Sequence, residues 1–261
     1  MMNKFNTIIQ GDCLDKFKQI SDNYIDLLVT SPPYNLDIKY NSYADNIERT
    51  EYLNWLDYVF INISRVLKET GSFFLNIGAS NKDPWIYMDV ANIARKHFCL
   101  QNDIVWVKSI AVGAITHGHF KPINSKRYLN HTYEHLFHFT KNGTVKLDRN
   151  AIGVPYMDKT NINRWEHNKN HDLRCKGNCW HIPYLTINSK LKKGNHPATF
   201  PEELVEHCIK LHGHNSDTIL LDPFSGTGTT SVVAKKLHIN SIGIELDPYY
   251  VEYSMERLAN V

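Results

Sequence analysis

The chain has 261 residues, of which 42% are hydrophobic and 21% are charged, a balance that suits one α/β domain carrying a loop-rich insertion. No apolar run approaches the roughly 18 residues that span a bilayer, and the first residues are polar, so we expect a soluble, cytoplasmic protein without a secretory leader. Five cysteines spread along the chain argue against a disulfide framework and favour reduced thiols in a bacterial-type cytosol.

Charge is unevenly distributed, although the net charge is only +2. Residues 104–195 hold fifteen Lys and Arg against five Asp and Glu, whereas the rest of the chain holds fourteen against twenty-two. The middle of the chain therefore carries a positive excess, which predicts a surface that meets a polyanion such as nucleic acid. The alternative is a basic surface that only faces solvent and does not meet a polyanion.

The N-terminal half alternates strand-like and helix-like patterns. Apolar residues recur at helical spacing from Leu53 to Leu67, which predicts an amphipathic helix packed on a sheet. The expected order is strand 7–10, helix 14–19, strand 25–30, helix 50–68, strand 72–77, helix 84–96, strand 103–107 and strand 134–139. This alternation predicts a doubly wound, largely parallel sheet.

Between about residues 108 and 195 these patterns give way to a segment rich in His, Asn, Lys, Gly and Trp. The segment is too long for a simple connection, and its aromatic residues argue against a floppy excursion, so we interpret it as an insertion for target recognition. Regular patterns then return, predicting helix 201–211, strand 218–221, a glycine-rich turn, a helix ending near 237, strand 241–244 and a final helix.

The glycine-rich turn lies in the run LLDPFSGTGTT, which leads from a strand into a helix. Gly226 and Gly228 allow a tight turn close to a ligand, and the helix N-terminus offers free N–H groups to an anionic group. A P-loop and the dinucleotide fingerprint are both excluded, since the Lys and the third Gly are missing. Glu245 follows at the spacing of an acid that binds ribose, which favours a nucleoside such as S-adenosylmethionine. Its amino group would meet Asp222 or Ser225.

A second motif, Thr-Ser-Pro-Pro-Tyr-Asn over residues 30–35, follows the apolar strand 25–30. Two prolines offer no N–H donors, so carbonyls and the Ser31 hydroxyl are left as converging acceptors. Acceptors suit the exocyclic amine of a base, because holding its hydrogens makes the nitrogen more nucleophilic. Tyr34 can stack on a nucleotide flipped out of a duplex. A rigid Pro-Pro turn is the alternative.

With these two motifs in this order, the chain resembles the DNA amino-methyltransferases of the circularly permuted group called beta. The resemblance implies an α/β fold with a doubly wound, largely parallel, seven-stranded Rossmann-like sheet. It implies S-adenosylmethionine as cofactor, double-stranded DNA as substrate and no metal. The residues that match the family's catalytic motif, and are therefore assigned as catalytic, are Ser31, Pro32, Pro33 and Tyr34. It assigns as cofactor-binding Asp12, Cys13, His196, Pro197, Phe200, Asp222, Pro223, Phe224, Ser225, Gly226, Thr227, Gly228, Thr229, Glu245 and Leu246.

The resemblance also implies how the chain is divided. Residues 1–261 form one methyltransferase domain with a catalytic half at 1–139, a cofactor half at 195–261 and a target-recognition insertion at 140–194, or from near 108. A homodimer and a partner restriction endonuclease for the same DNA site are expected. Within the insertion no role can be transferred, and the candidates for phosphate or base contacts are Arg127, Arg149, Arg164 and Arg174.

Ser31 bears on the identity of the methylated base. In the family, Ser at this position is associated with cytosine N4 and Asp with adenine N6. A hydroxyl can accept from the amine and donate toward ring N3 of cytosine, whereas a carboxylate is the stronger acceptor. We therefore predict cytosine N4, with adenine N6 as the alternative. Direct in-line transfer needs no nucleophile, so Cys13 is expected to be dispensable.

Three other interpretations stay open. His171, Cys175, Cys179 and His181 could form a zinc site in a nucleic-acid-binding protein, although their spacing is irregular for common zinc modules. A similar Asn-Pro-Pro-Tyr motif is found in other methyltransferases that modify a glutamine side chain, and some methyltransferases with such a motif act on RNA. A noncatalytic cofactor-binding protein is the third, and the intact acceptor motif argues against it.

Overall fold

Ten strands and six α-helices are found in the computed structural model, which describes residues 6–38, 42–118, 124–164, 172–183 and 199–261. The strands are β1 (Thr7–Gln10), β2 (Ile25–Thr30), β3 (Leu67–Ile77), β4 (Cys99–Val107), β5 (Ile110–Val112), β6 (Ile115–His117), β7 (Tyr133–Thr140), β8 (Cys179–His181), β9 (Ile219–Asp222) and β10 (Asn240–Glu245). The helices are α1 (Cys13–Phe17), α2 (Arg49–Val66), α3 (Ile86–Ala94), α4 (Glu202–His212), α5 (Thr229–Lys236) and α6 (Pro248–Ala259), and a 3₁₀ helix covers Lys159–Arg164.

Eight of the ten described strands form one large sheet in the order β1-β10-β9-β2-β3-β7-β4-β8. Five adjacent strands, β1, β10, β9, β2 and β3, are parallel to one another. Strand β7 is antiparallel to both β3 and β4, and β8 is parallel to β4. The predicted α/β fold with a largely parallel sheet is confirmed. The predicted count of seven strands is one fewer than the eight described in this sheet, whose outermost strand β8 pairs with β4. Strands β5 and β6 form a separate antiparallel hairpin.

Alternating side chains of the central strands supply the cores on the two faces of the sheet. On β2, Leu28 belongs to the apolar cluster covered by α1, α2 and α3, whereas Leu27 and Val29 belong to the cluster on the other face with α4. On β3, Phe73 and Phe74 divide in the same way. Successive strand side chains point to opposite faces, so these uninterrupted apolar runs fit strands buried on both sides.

Helix α2 ends at Val66 and strand β3 begins at Leu67, five residues earlier than the predicted strand at 72. The register of β3 against β2 shifts between Ile25 and Leu27, so the first residues of β3 form an irregular entry into the sheet. Gly71 lies inside this entry, where a Cβ would come within 2.5 Å of Leu67 Cδ1. The described residues contain no helix long and apolar enough to cross a membrane.

Candidate active site

A cavity of about 560 Å³ opens at the carboxyl ends of the parallel strands. Its lining includes Asp12 after β1, Ser31 after β2, Phe224 after β9 and Leu246 after β10. Since these strands run in one direction, the loops that follow them meet at one edge of the sheet, where open α/β sheets bind their ligands.

Most of the predicted site residues meet in this cavity, although their individual roles stay predictions. Asp222 and Gly228 are not part of the lining, and His196 and Pro197 lie outside the described residues. The predicted residues that line the cavity are Asp12, Cys13, Ser31, Pro32, Pro33, Tyr34, Phe200, Pro223, Phe224, Ser225, Gly226, Thr227, Thr229, Glu245 and Leu246.

The turn between β9 and α5 depends on two glycines in the left-handed region. Gly226 has φ 50° and Gly228 has φ 74°, conformations that side chains with a Cβ rarely adopt. Gly228 is the N-cap residue of α5, and a Cβ there would lie 2.8 Å from Ser254 Cβ on α6. Gly228 therefore shapes the turn by packing against α6, which explains why it does not reach the cavity.

Glu245 ends β10 in the cavity wall. Its Oε2 accepts a hydrogen bond of 2.7 Å from the Gly226 N–H, and its Oε1 accepts one of 2.9 Å from the Asp247 N–H. Burial raises the pKa of this carboxyl from 4.5 to about 7 despite these two donors. The carboxyl is thus fixed in direction by the turn and titrates close to neutral pH.

Asp222 lies beneath the turn and outside the cavity lining, and its contact with a ligand stays a prediction. Its Oδ1 accepts hydrogen bonds from the Thr30 hydroxyl at 2.6 Å and from the Phe224 N–H at 3.1 Å. Complete burial raises its pKa from 3.8 to about 6. Of the two residues predicted to meet an amino group, Ser225 is the one in the lining, and within the described chain its buried hydroxyl has no hydrogen-bond partner. The Ser225 hydroxyl lies against Gly243 of β10, 2.6 Å from the position of a Cβ there, so other atoms of Ser225 form its part of the lining.

Aromatic side chains line the cavity beside the glycine-rich turn. The Phe224 ring lies 5.5 Å from the Trp55 ring, which in turn lies 6.1 Å from Tyr43. Trp55 and Tyr43 were not predicted as site residues, since the pattern of α2 around Trp55 only indicated a packing face and Tyr43 lies in neither motif. Both line the cavity and extend the apolar surface that Phe224 offers to a ligand.

Residues at the start of α1 also line the cavity. Asp12 is the N-cap of this helix and accepts a hydrogen bond of 2.8 Å from the Leu14 N–H. Cys13 is buried, and burial raises the pKa of its thiol far above the ordinary value. A thiol held in its neutral form is a poor nucleophile, which agrees with the expectation that Cys13 is dispensable.

The acceptor motif forms a rigid loop after β2. Ser31 Oγ and the Tyr34 hydroxyl are 2.8 Å apart. The Tyr52 hydroxyl donates a hydrogen bond of 2.7 Å to the Pro33 carbonyl, so this carbonyl is already engaged by the protein. Asn35 N–H is held by Asp45 Oδ1 at 2.7 Å. Ser31 is therefore the acceptor of the motif that the geometry supports best.

Three further polar residues on the catalytic side were missed by the sequence analysis. Asn76 Nδ2 donates to the Tyr34 hydroxyl at 2.7 Å and to Glu134 Oε2 at 2.6 Å. Lys108 Nζ donates to Glu134 Oε1 at 2.7 Å, and all three side chains line the cavity. They meet only because β7 runs antiparallel between β3 and β4, and no motif in the sequence carries that register.

The zinc interpretation receives no support from the described part of the chain. Cys175 and Cys179 are exposed, and His181 contacts the ring of His117. Among the described residues no group of three or more His, Cys, Asp or Glu side chains could hold a metal ion. The fourth proposed ligand, His171, lies outside them.

Of the candidate DNA-contacting arginines, Arg127, Arg149 and Arg174 are exposed. The Arg127 guanidinium lies 5.0 Å from the centre of the Tyr128 ring. The side chain of Arg164 is not among those described.

Comparison with known proteins gives consistent matches. Residues 25–256 match the family model N6_N4_Mtase, described as DNA methylase. The chain is 28% identical to the type II methyltransferase M.ScaI of Streptomyces caespitosus, over 96% of this chain and 80% of that protein. It is 28% identical to the DNA adenine methyltransferase YhdJ of Escherichia coli K12, over 98% and 83%. Its fold is similar to that of the PvuII DNA methyltransferase (cytosine-N4-specific), with a TM-score of 0.72, 22% identity and coverage of 96% and 85%.

Proposed function

The chain belongs to the N6_N4_Mtase family of DNA methylases, and from that premise we propose that it transfers a methyl group from S-adenosylmethionine to the exocyclic N4 amine of cytosine in DNA. The observation that carries this proposal is one cavity lined both by Ser31 of the acceptor motif and by Phe224 and Glu245 around the glycine-rich turn. A methyl donor and an amine acceptor can therefore meet in a single enclosed space.

The residues on the cofactor side fit S-adenosylmethionine. Glu245 offers a carboxyl for ribose hydroxyls, Ser225 lies in the lining on the side that we assign to the methionine moiety, and Phe224 with Trp55 offers apolar surface. When bound, S-adenosylmethionine supplies an electrophilic methyl group on a sulfonium, so transfer to nitrogen needs no covalent enzyme intermediate. The protein's part is to position the amine and hold its hydrogens.

On the acceptor side, Ser31 is the residue that would hold an amine hydrogen. The base lies inside the duplex before reaction, so the nucleotide has to flip into the cavity, at a cost that contact with Tyr34 helps to offset. Cytosine N4 is favoured because the first motif residue is Ser, and the structurally similar PvuII enzyme is named cytosine-N4-specific. Adenine N6 is the second candidate, favoured by the relative named an adenine methyltransferase.

We assign target recognition to the insertion at residues 140–194, with a start near 108 as the alternative boundary. The basic excess between 104 and 195 and the exposed Arg127, Arg149 and Arg174 support contact with DNA phosphates there. Because relatives such as M.ScaI are named type II methyltransferases, a role in a restriction-modification system follows, with an endonuclease acting on the same site. A homodimer remains part of the proposal.

Incubation with S-adenosylmethionine labelled in the methyl group and mixed-sequence duplex DNA tests this function. The DNA is digested to nucleosides, and the labelled nucleoside is identified by mass spectrometry. Label in N4-methylcytosine supports the proposal, and label in N6-methyladenine favours the second candidate. Label that enters only RNA or protein in parallel reactions would contradict both.

A further inference from the structure

A continuous chain of hydrogen bonds leads away from Ser31 on the catalytic side of the cavity. Ser31 Oγ lies 2.8 Å from the Tyr34 hydroxyl, and the Tyr34 hydroxyl lies 3.2 Å from Glu134 Oε2. The other carboxylate oxygen, Oε1, is held by Lys108 Nζ at 2.7 Å. All four side chains line the cavity, so the acceptor motif is connected to an ion pair between the ends of β4 and β7.

The chemistry of these groups gives the chain a direction. The Glu134 carboxylate and the Asn76 main-chain carbonyl can only accept, and the Tyr34 hydroxyl lies 3.2 Å from each, so Tyr34 donates its single proton to one of them. Asn76 Nδ2 donates to the Tyr34 oxygen. Ser31 is then the donor in its bond with Tyr34. The lone pairs of Ser31 Oγ are left to accept an N–H from the substrate.

We propose that Ser31, Tyr34 and Glu134 form a relay that takes up the proton released by the amine during methylation. This inference rests on the proposed function. As the nitrogen lone pair forms its bond to the methyl carbon, the carbon–sulfur bond breaks and its electron pair stays on sulfur. The nitrogen then gives a proton to Ser31 Oγ, Ser31 passes its proton to Tyr34, and Tyr34 passes its proton to Glu134 Oε2. Glu134 later returns the proton to water, so no further reactant is needed.

The surroundings of Glu134 suit the end of such a relay. Asn76 Nδ2 donates to Glu134 Oε2 at 2.6 Å, and Lys108 donates to the opposite oxygen. The titratable groups that face this carboxylate are Tyr34 from the loop after β2 and Lys108 from the end of β4. His131, before β7, lines the same cavity and contacts Asn81 Oδ1 at 2.8 Å.

The direction of the relay changes the role given to Ser31. A hydroxyl that donates to Tyr34 does not at the same time donate toward ring N3 of cytosine, which was the role suggested from the sequence. Ser31 instead acts toward the substrate as an acceptor, as the Asp of other family members would. The carboxylate in this protein is that of Glu134, which takes up the proton indirectly, through Tyr34.

Glu134→Gln and Tyr34→Phe test the relay, because the first removes the terminal acceptor and the second removes the connecting hydroxyl while keeping the ring. The rate of a single round of methyl transfer is measured at one fixed pH, at saturating S-adenosylmethionine and DNA. Binding of both substrates is measured alongside.

Each single variant is expected to be about 10²-fold slower than the wild type, and the double variant no slower than the slower single one, because both interrupt the same path. In both single variants the loss falls on the maximal rate, and the affinities for S-adenosylmethionine and DNA stay at the wild-type values. Glu69→Gln is the matched control, since Glu69 also pairs with a lysine but is exposed at the start of β3.

Near-wild-type rates in both single variants would overturn the relay. So would slow variants whose losses multiply in the double variant and that also bind the substrates more weakly, since that pattern belongs to a purely structural role. If Glu134→Gln does not fold, Tyr34→Phe carries the test through its maximal rate and its substrate affinities. A wild type that transfers no methyl group to DNA bases would overturn the proposed function itself, whereas an active wild type with unaffected variants overturns the relay alone.

Discussion

The Thr30 hydroxyl donates a hydrogen bond of 2.6 Å to Asp222 Oδ1, although the two residues are 192 positions apart in the chain. Both are buried, at the ends of the neighbouring parallel strands β2 and β9. The strand that precedes the acceptor motif is thereby tied to the strand that precedes the cofactor turn. The two halves of the site are held together beneath the cavity as well as around it.

Thr30→Val should destabilise the protein, because it keeps the shape of the side chain but removes the donor to a buried carboxyl. We expect a loss of about 1–3 kcal/mol in the free energy of unfolding, measured by urea denaturation. Thr30→Ser retains the hydroxyl and serves as the matched control. A Thr30→Val protein as stable as the wild type would show that the bond contributes nothing.

Ser31→Ala should slow methyl transfer by about 10²–10³-fold, because it removes the acceptor that holds the amine hydrogen in the transition state. The affinity for S-adenosylmethionine should not change, since the cofactor contacts that we propose are made by the glycine-rich turn and Glu245 and not by Ser31. Single-turnover rates and calorimetric binding distinguish these effects. Ser216→Ala, at an exposed position, is the control. Loss of cofactor binding together with activity would mean that Ser31 acts on folding.

Phe224→Ala should weaken the binding of S-adenosylmethionine by about 3–10-fold or more, because the aromatic contact beside Trp55 is lost. The maximal transfer rate at saturating cofactor should change less than the affinity. Trp85→Ala removes an exposed aromatic ring elsewhere and should leave the affinity unchanged. Unaltered binding in Phe224→Ala would show that the cofactor turn is wrongly placed.

The stability of the protein without cofactor should depend on the titration of Glu245. Its pKa is raised by burial from 4.5 to about 7, so its ionisation opposes folding. The stability that the protein has with a neutral Glu245 carboxyl is fully present below about pH 4.5. It is lost as the pH rises through about 7, and the free energy of unfolding falls by about 3 kcal/mol. Glu245→Gln should therefore gain stability relative to the wild type between about pH 5 and about pH 8.

The measurement is urea denaturation of both proteins across this range. Asp222, whose pKa is also raised, is present in both proteins, and its charge adds to the raised pKa of Glu245. A constant difference in stability at all pH values would contradict the raised pKa of Glu245.

Much of the fold followed from local patterns in the sequence. The strand Ile25–Thr30 is buried on both faces and contains the apolar run Leu27–Val29, and the helix Arg49–Val66 shows a clear apolar stripe. The junction at Leu67 was misjudged, because the helical spacing of apolar residues continues through a residue that the structure assigns to β3. Short β8 was missed, since three residues carry too little pattern and its formation depends on the edge of β4.

The site was predictable where it is built from contiguous motifs. The acceptor motif and the glycine-rich turn could be located because prolines and glycines impose a local backbone shape. Lys108 and Glu134 could not, because their pairing depends on the antiparallel register of β7 between β3 and β4. The position of Asp222 beneath the turn also depends on a distant partner, Thr30, and no spacing rule contains that contact.

The most direct test of the central claim is the content of methylated bases in the DNA of a host that lacks its own base methylation and expresses this chain. Genomic DNA is hydrolysed, and N4-methylcytosine and N6-methyladenine are quantified by mass spectrometry beside a host that expresses Ser31→Ala. We predict N4-methylcytosine with the wild-type chain and a large reduction with the variant. N6-methyladenine instead, or neither base, would contradict the assignment of cytosine N4.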